Sequence, residues 1–368
     1  MKQSKVNIQV VVRVRPTSSP ATKSLGYCNG EREIMYKRHT PIAGKETYKQ
    51  YYFDKVYHPT STQEEVYKGT VSPIIKQFLN GFSCTVFAYG PTGTGKTYTM
   101  EGPSGPSGSE KTTEITAESG MIPRAIHEIF TTLEKSKSDY TVKISHLEVY
   151  KEELYDLLAG KKQTLRLLTR RSKRKGATDK IEAVVHGLQE FTVTNSSEVL
   201  DHLRKSSHER SVAETFSNRA SSRSHCIFTI TTLIKETTRD GQELLKTAKL
   251  HLVDLAGSEG ADACIGKDGK VNYQRKAEST KINLSLLTLG SVIRNIAEGN
   301  PHVPYLDSNL TKLLSESLGG RTFTCLIATV SLDAGSKEAT KSTLQYAQMA
   351  KTIKNTPEQN ERMTKKLV

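Results

Sequence analysis

The chain alternates two hydrophobic patterns. Dense apolar runs occur at NIQVVVRV (7–14), SCTVFAYG (83–90), YTVKISHLEVY (140–150), SHCIFTITTLIKET (224–237), LLKTAKLHLVDL (244–255) and TFTCLIATVS (322–331). Their β-branched content, bounded by Pro16, Gly90 or a turn such as DGQ at 240–242, predicts strands. Between them, apolar positions recur at helical spacing over 62–81, 120–135, 194–211, 282–299, 308–320 and 336–355. The polar stretch from Pro16 to about residue 50 predicts short strands and loops. Residues 101–119, EGPSGPSGSEKTTEITAES, are almost without apolar side chains and predict a long surface loop. No repeat and no long linker divides the chain. The pattern predicts one α/β domain with helices on both faces of a mixed sheet.

Composition adds a direction. At 368 residues, 35% hydrophobic and 25% charged, the chain suits a soluble protein with a substantial core. Its net charge of +14 asks for an acidic partner surface, whether nucleic acid, an anionic membrane or an acidic polymer lattice. Charge alone does not choose among these. Cysteines at 28, 84, 226, 264 and 325 are odd in number and never spaced C-x-x-C, which argues against a disulfide framework or structural zinc and fits a reducing compartment. The opening MKQSKVNIQVVV is too short in apolar residues for a signal peptide or a membrane span.

The chemistry begins after the second strand run. GPTGTGKT, Gly90 to Thr97, satisfies G-x-x-x-x-G-K-[ST] between a predicted strand and a helix. Gly93 and Gly95 let successive N–H groups turn toward phosphate oxygens, with Thr92 and Thr94 in the same loop. Lys96 can bridge the β- and γ-phosphates and Thr97 can ligate magnesium. HLVDLAGSEG (251–260) supplies a second element: Asp254 at a strand end can hold magnesium through water, and the Gly257 N–H can meet the γ-phosphate. NRASSRSH, Asn218 to His225, is a third, dense in hydroxyls, with Arg223 an obvious partner for Glu259. Such an ion pair would form only when both loops close. No N-K-x-D element follows the D-x-x-G, so guanine is disfavoured; RVRP (13–16) and Tyr98 can offer guanidinium and aromatic faces to adenine.

Together, AYGPTGTGKTYTM, NRASSRSH and DLAGSE, in this order and spacing, resemble the phosphate loop, switch I and switch II of the kinesin motor domain. RVRP and HVPYLDSNLTKLLSESLGG fit the same pattern, and the resemblance covers essentially the whole chain. It implies a P-loop fold with a central, mainly eight-stranded mixed sheet, and hydrolysis of ATP to ADP and phosphate, with Mg2+, coupled to movement on microtubules. It implies that Ser222 lies near magnesium, that Arg223 and Glu259 position the lytic water, that Asn218 belongs to the same switch, and that Arg13, Arg15, Pro16 and Tyr98 border the adenine.

NIQVVVRVRP, INLSLLTLG, the 101–119 loop and AKTIKNTPEQNERMTKK look most like the bipolar mitotic-spindle branch. That resemblance implies a homotetramer assembled through regions beyond this chain, a monomeric fragment, and a place in the cytoplasm, on the cytoskeleton and the spindle. The expected partner is the microtubule, with no nucleic acid and no membrane. The expected motor domain is 1–353, followed by a neck linker at 354–368 that contains Asn355 and in which Asn360 is the latch that bonds the docked chain to the core. Plus-end-directed movement is the expectation.

The track-binding face shows departures. KKQTLRLLTRRSKRKG (161–176) is the densest basic segment, with Lys161, Lys162, Arg170, Arg171, Lys173, Arg174 and Lys175 as candidate contacts. Arg275, Lys276, His302, Tyr305 and Lys312 complete the expected face. Leu306, Asn309 and Ala277 stand where the family commonly has Arg or Lys, a loss that the 161–175 segment is expected to offset. Pro91 replaces the glutamine common in the family at a free position of the phosphate loop, and ATP turnover is expected to survive it. Two other readings remain open on sequence: the head of a dimeric cargo transporter, and a nucleotide-gated microtubule-binding module that hydrolyses weakly. An ATPase acting on nucleic acid lacks an accompanying helicase-type motif set.

Overall fold

The strand Gln9–Val14 sets the architecture: Val10, Val12 and Val14 enter one core and Val11 enters another, all at most 2% exposed. A strand buried on both faces suits a parallel sheet covered by helices on each side. The computed structural model describes residues 4–17, 24–37, 47–103, 115–136, 138–160, 163–172, 180–216, 223–238, 242–259 and 273–363, with only the backbone described at 171–172, 180–181, 208–209, 211–216 and 273–283.

Gln9–Val14 lies between Lys55–Tyr57 and Phe323–Val330, and Cys84–Tyr89 and Glu243–Asp254 follow, all neighbours parallel. Beyond Asp254 the pairing turns antiparallel through His225–Thr237, Asp139–Tyr150, Glu153–Asp156, Thr164–Ser172 and Lys180–His186. Phe191–Val193 pairs with Asp139–Tyr150, and Glu361–Met363 with Glu243–Asp254. The mixed sheet flanked by helices is as expected, and among the described residues it joins twelve strands where mainly eight were expected. The extra width comes from pieces with little apolar signal: the outward positions of the Thr164–Ser172 strand include exposed Arg166 and Arg170, and Glu361–Met363 is wholly exposed.

One core packs Val11, Val86 and Ile327 against Phe78, Ile126, Phe130 and Leu203 from the helices Ser72–Leu79, Met121–Lys135 and Ser196–Phe216. The other packs Val10, Phe87 and Leu326 against Leu289, Ile293 and Leu344 from Tyr273–Ala297 and Lys337–Ala350. Gly26–Asn29, Glu33–Lys37 and Tyr48–Tyr52 make a separate three-stranded sheet.

Several expected helices change shape. Thr62 and Glu65 form a capping box that starts Gln63–Val66, but a π-turn at Tyr67–Val71 precedes Ser72–Leu79. Pro73 has no N–H to return toward residue 69, which accounts for the break there. The 308–320 helix shrinks to Asn309–Leu313 and a 3₁₀ turn at Ser315–Ser317 before the Gly319–Gly320 pair. Tyr273–Ala297 starts well before 282, because its first turns are polar and carry no apolar period. The last helix stops at Ala350, and Lys354–Asn355 becomes a strand on Val6–Asn7.

Candidate active site

Cys84–Tyr89, buried throughout, delivers the chain to the phosphate-loop sequence at the carboxyl end of the parallel strands. Gly93 (φ +79°) and Gly95 (φ +97°) take left-handed conformations that other residues adopt at a cost, and Gly95 leads into the helix Lys96–Met100. Lys96 is 6% exposed, and its ammonium donates to the carbonyls of Gly90 (2.9 Å) and Pro91 (3.0 Å). Burial lowers its pKa, with Asp254 and Glu259 acting in the opposite sense. Thr94 is buried and bonds to the Pro91 carbonyl and to Thr329, each at 2.7 Å.

Thr97 and Asp254 meet: the threonine hydroxyl donates to Asp254 Oδ2 at 2.7 Å. Asp254 is 2% exposed, and its Oδ1 has no hydrogen-bond partner among the described residues. A buried carboxylate oxygen with spare lone pairs beside a hydroxyl is the donor set that suits a hard, partly hydrated cation such as Mg2+.

The loop after Asp254 closes onto the phosphate loop. Ser258 N donates to the Gly90 carbonyl at 3.1 Å, and Glu259 accepts both the Thr92 amide (2.7 Å) and the Thr92 hydroxyl. A side chain at 257 would run into the Thr92 hydroxyl and the Glu259 carboxylate, so a substitution there would push these two side chains out of their present contact. Among the described residues no ion pair joins Glu259 to half-buried Arg223; the carboxylate is engaged by Thr92 instead. Asn218 and Ser222 lie outside the described residues.

On the opposite side of the loop, Arg13 donates to Gln63 (2.7 Å) and Thr99 (2.9 Å), and its guanidinium carbon sits 5.2 Å from the Tyr98 ring centroid. Arg15 bonds to the Gly93 carbonyl, and Pro16 is exposed next to it in the chain. Gln63 in turn donates to the carbonyls of Tyr98 (2.7 Å) and Glu118 (3.2 Å), while the Tyr98 hydroxyl donates to the Glu118 carboxylate. Arg13, Arg15 and Tyr98 are therefore brought to one edge of the loop. Gln63 and Glu118, absent from the sequence reading, brace that edge.

Two further residues were missed. Arg210, 5% exposed, points its guanidinium between Asp254 Oδ2 (3.6 Å) and Glu101 (3.7 Å). Burial works against its charge, but the carboxylates of Asp254, Glu101 and Glu148 around it outweigh burial and raise its pKa. His225 is 2% exposed; its Nδ1 accepts the Ala256 N–H at 3.0 Å and its Nε2 lies 2.7 Å from the Ser285 hydroxyl. Neither residue stands out in a linear pattern, because each partner is far away in sequence.

The expected track contacts differ in exposure. Arg170 and His302 are exposed. Lys312 donates to Asn309 Oδ1 at 3.1 Å. Tyr305 turns inward, its hydroxyl on the Leu318 carbonyl, so it is a brace of the Gly319 turn. Lys161, Lys162, Lys173, Arg174 and Lys175 lie outside the described residues, and for Arg171, Arg275 and Lys276 only the backbone is described. Asn309 is tied to the Lys151–Glu152 turn: its amide N–H donates to Glu152 Oε2 (2.6 Å), and its side chain to the Glu152 carbonyl (2.7 Å).

At the end of the chain, Asn355 is 2% exposed and its side chain bonds to Ser317 O, Thr322 O, Thr324 and the Gly319 N–H at 2.7–3.1 Å. Asn360 is held mainly by its backbone, its N–H on Gly81 O and its carbonyl on Thr247 N–H, both 2.9 Å. Its side chain reaches Gly81 and Ser83 only at 3.5 Å.

The kinesin motor domain family model matches residues 13–353. The chain is 46% identical over 377 residues to kinesin-like protein KIN-5C of Oryza sativa subsp. japonica, covering 99% of this chain and 36% of that protein. It is 46% identical over 376 residues to KIN-5A of Arabidopsis thaliana (100% and 35% covered) and 44% identical over 367 residues to KIF11-B of Xenopus laevis (98% and 33% covered). A solved structure of a fast kinesin superposes with a TM-score of 0.80 at 34% identity, covering 98% of this chain and 96% of that one. The chain spans about a third of the length of these curated relatives, at 33–36%.

Proposed function

The chain belongs to the kinesin motor domain family, and from that premise we propose that it is a microtubule-stimulated ATPase, the head of a bipolar spindle motor. Similarity over the whole chain to KIN-5 proteins supports the subfamily. The single observation that carries the enzymatic reading is the Thr97–Asp254 pair, with its unpartnered carboxylate oxygen, directly behind the phosphate loop.

In this reading the phosphate-loop amides and Lys96 bind the β- and γ-phosphates, while Arg13, Arg15, Pro16 and Tyr98 border the adenine. Thr97, Ser222 and, through water, Asp254 would hold Mg2+, which when bound neutralises phosphate charge. Water attacks the γ-phosphorus, the bond to the β–γ bridging oxygen breaks, and ADP and phosphate result. Gly257 N–H senses the γ-phosphate, and Arg223 with Glu259 and Asn218 positions the attacking water. Glu259 must leave Thr92 to pair with Arg223, so closing the switch means exchanging one partner for another.

The segment 354–368 acts as the neck linker, anchored through Asn355 and Asn360, and docking it drives movement toward the plus end. Microtubule contact is carried by the 161–175 segment, by the Tyr273–Ala297 helix with Arg275 and Lys276, and by His302 and Lys312. The full protein is a homotetramer on the spindle, and this chain alone is a monomer.

Steady-state phosphate release with and without microtubules tests the core of the proposal, and strong stimulation is expected. Nucleotide-dependent binding without appreciable turnover would favour the weakly hydrolysing module. Gliding on polarity-marked microtubules tests direction.

A further inference from the structure

His225 joins three elements that the nucleotide-site motifs leave separate. It opens the strand His225–Thr237, two residues after Arg223. Its Nδ1 accepts the N–H of Ala256, which sits between Asp254 and Glu259 and directly precedes Gly257. Its Nε2 lies 2.7 Å from the hydroxyl of Ser285, in the long helix Tyr273–Ala297. Because a backbone amide can only donate, Nδ1 carries no proton. The proton is therefore on Nε2, which donates to Ser285. One tautomer satisfies both bonds. All three residues are buried, at 2%, 0% and 3% exposure, so water cannot replace either bond without opening the core.

The two partners sit on surfaces with different tasks. Ala256 belongs to the loop that bonds Gly90 through Ser258 and Thr92 through Glu259. Ser285 lies on the inward side of a helix whose other side presents Leu284 (44% exposed), Leu287 (70% exposed) and exposed Arg294. A shift of that helix along its axis moves Ser285, and the imidazole, a rigid planar ring, passes the displacement to the Ala256 amide. No rotatable bond intervenes within the ring.

We propose that His225 is a positioning residue that couples the Tyr273–Ala297 helix to the phosphate-sensing loop, so that a partner pressing on the outer side of this helix resets Gly257 and Glu259 through the Ser285–His225–Ala256 chain. The proposal rests on the motor reading for the identity of that partner, a microtubule. It places the coupling in two hydrogen bonds, separate from the nucleotide contacts themselves.

Ser285→Ala cuts the chain at the helix and leaves every nucleotide-site residue in place. Its basal ATPase should stay within about twofold of the parent, while stimulation by microtubules falls about fivefold or more, the usual scale of a coupling between sites. Ser285→Thr, which keeps the hydroxyl, should restore stimulation. His225→Asn cuts the same link from the other end, since its side-chain oxygen can still accept from Ala256 but cannot reach Ser285. The double variant should be no worse than either single one.

A second readout needs no track: exchange of the Ala256 amide hydrogen should accelerate about fivefold or more in Ser285→Ala at an unchanged melting temperature. Unchanged exchange overturns the inference. So does faster exchange with full microtubule stimulation, because the link would then carry no coupling. If the parent itself shows no stimulation, the motor reading fails, and the exchange arm alone decides whether the tether exists.

Discussion

Glu259 takes two hydrogen bonds from a single residue, accepting both the amide (2.7 Å) and the hydroxyl of Thr92. The carboxylate proposed to meet Arg223 is thus held on the phosphate loop by Thr92. Glu259→Ala and Arg223→Ala should each lower turnover by about 10²-fold or more, with the double variant no slower than the worse single one, as expected for groups acting as a unit. Thr92→Ala keeps the amide bond and should stay within about threefold of the parent, a change of under ~1 kcal/mol in barrier. Single-turnover phosphate release separates these outcomes from effects on nucleotide binding.

Arg210 is a buried cation between the buried carboxylate of Asp254 and the half-buried one of Glu101. Arg210→Ala leaves Asp254 and Glu101 without it, and removing one partner from such a cluster costs about 3–5 kcal/mol. Urea denaturation should show the loss. Arg210→Met should be equally destabilising, since packing volume does not replace the charge.

Two histidines, His146 and His225, are buried, a third, His251, is half-buried, and all three are neutral. Desolvation, with nearby cations, pushes His225 and His146 down to about 3 and His251 to about 4. Their folded-state pKa values lie below the unfolded value of about 6.5, so the unfolded chain binds more protons as pH falls below that value. The stability they permit is complete above about pH 6.5 and is lost progressively as the medium is acidified toward their folded values. At pH 5 one such group contributes about 2 kcal/mol of this loss. The urea midpoint should fall between pH 7 and 5, and His251→Phe should flatten that dependence.

Asn355 and Asn360 are unequal anchors. Asn355→Ala strands the buried carbonyls of Ser317 and Thr322, and should cost about 1–3 kcal/mol. Asn360→Ala loses only 3.5 Å side-chain contacts and keeps both backbone bonds, so under about 0.5 kcal/mol is expected. Limited proteolysis within 354–363 should report the difference as faster cleavage in the first variant alone.

Pro91 contributes its carbonyl, which accepts from Thr94 and Lys96, and glutamine would offer the same oxygen. Pro91→Gln should change ATP turnover by less than about threefold. A many-fold gain would mean that the proline slows the loop.

The phosphate loop and the loop after Asp254 were legible in sequence because each is a short local motif between apolar runs of clear period. Arg210 and His225 were not, since their meaning lies in partners such as Glu101 and Ser285, more than fifty residues away in the chain. Asn309 shows the same limit from the other side. Sequence reads it as a lost positive charge, whereas the fold uses it to fasten a helix start to Glu152, a bond that a lysine there could not make in the same way. The strands Thr164–Ser172, Lys180–His186 and Glu361–Met363 escaped because the first two carry their short apolar alternation beside a dense basic run and the third is wholly exposed and has none.

That last strand also sets a length scale. The ten residues 354–363 lie extended, with the N–H groups of Thr356, Glu358 and Asn360 bonded in alternation to Gly320, Arg321 and Gly81. Extended chain of that length spans about 33 Å, whereas a free flexible one averages roughly 17 Å end to end and points in no fixed direction. Seating this segment therefore turns a slack leash into a pointer, longer by about 15 Å and fixed at its end against the Glu243–Asp254 strand.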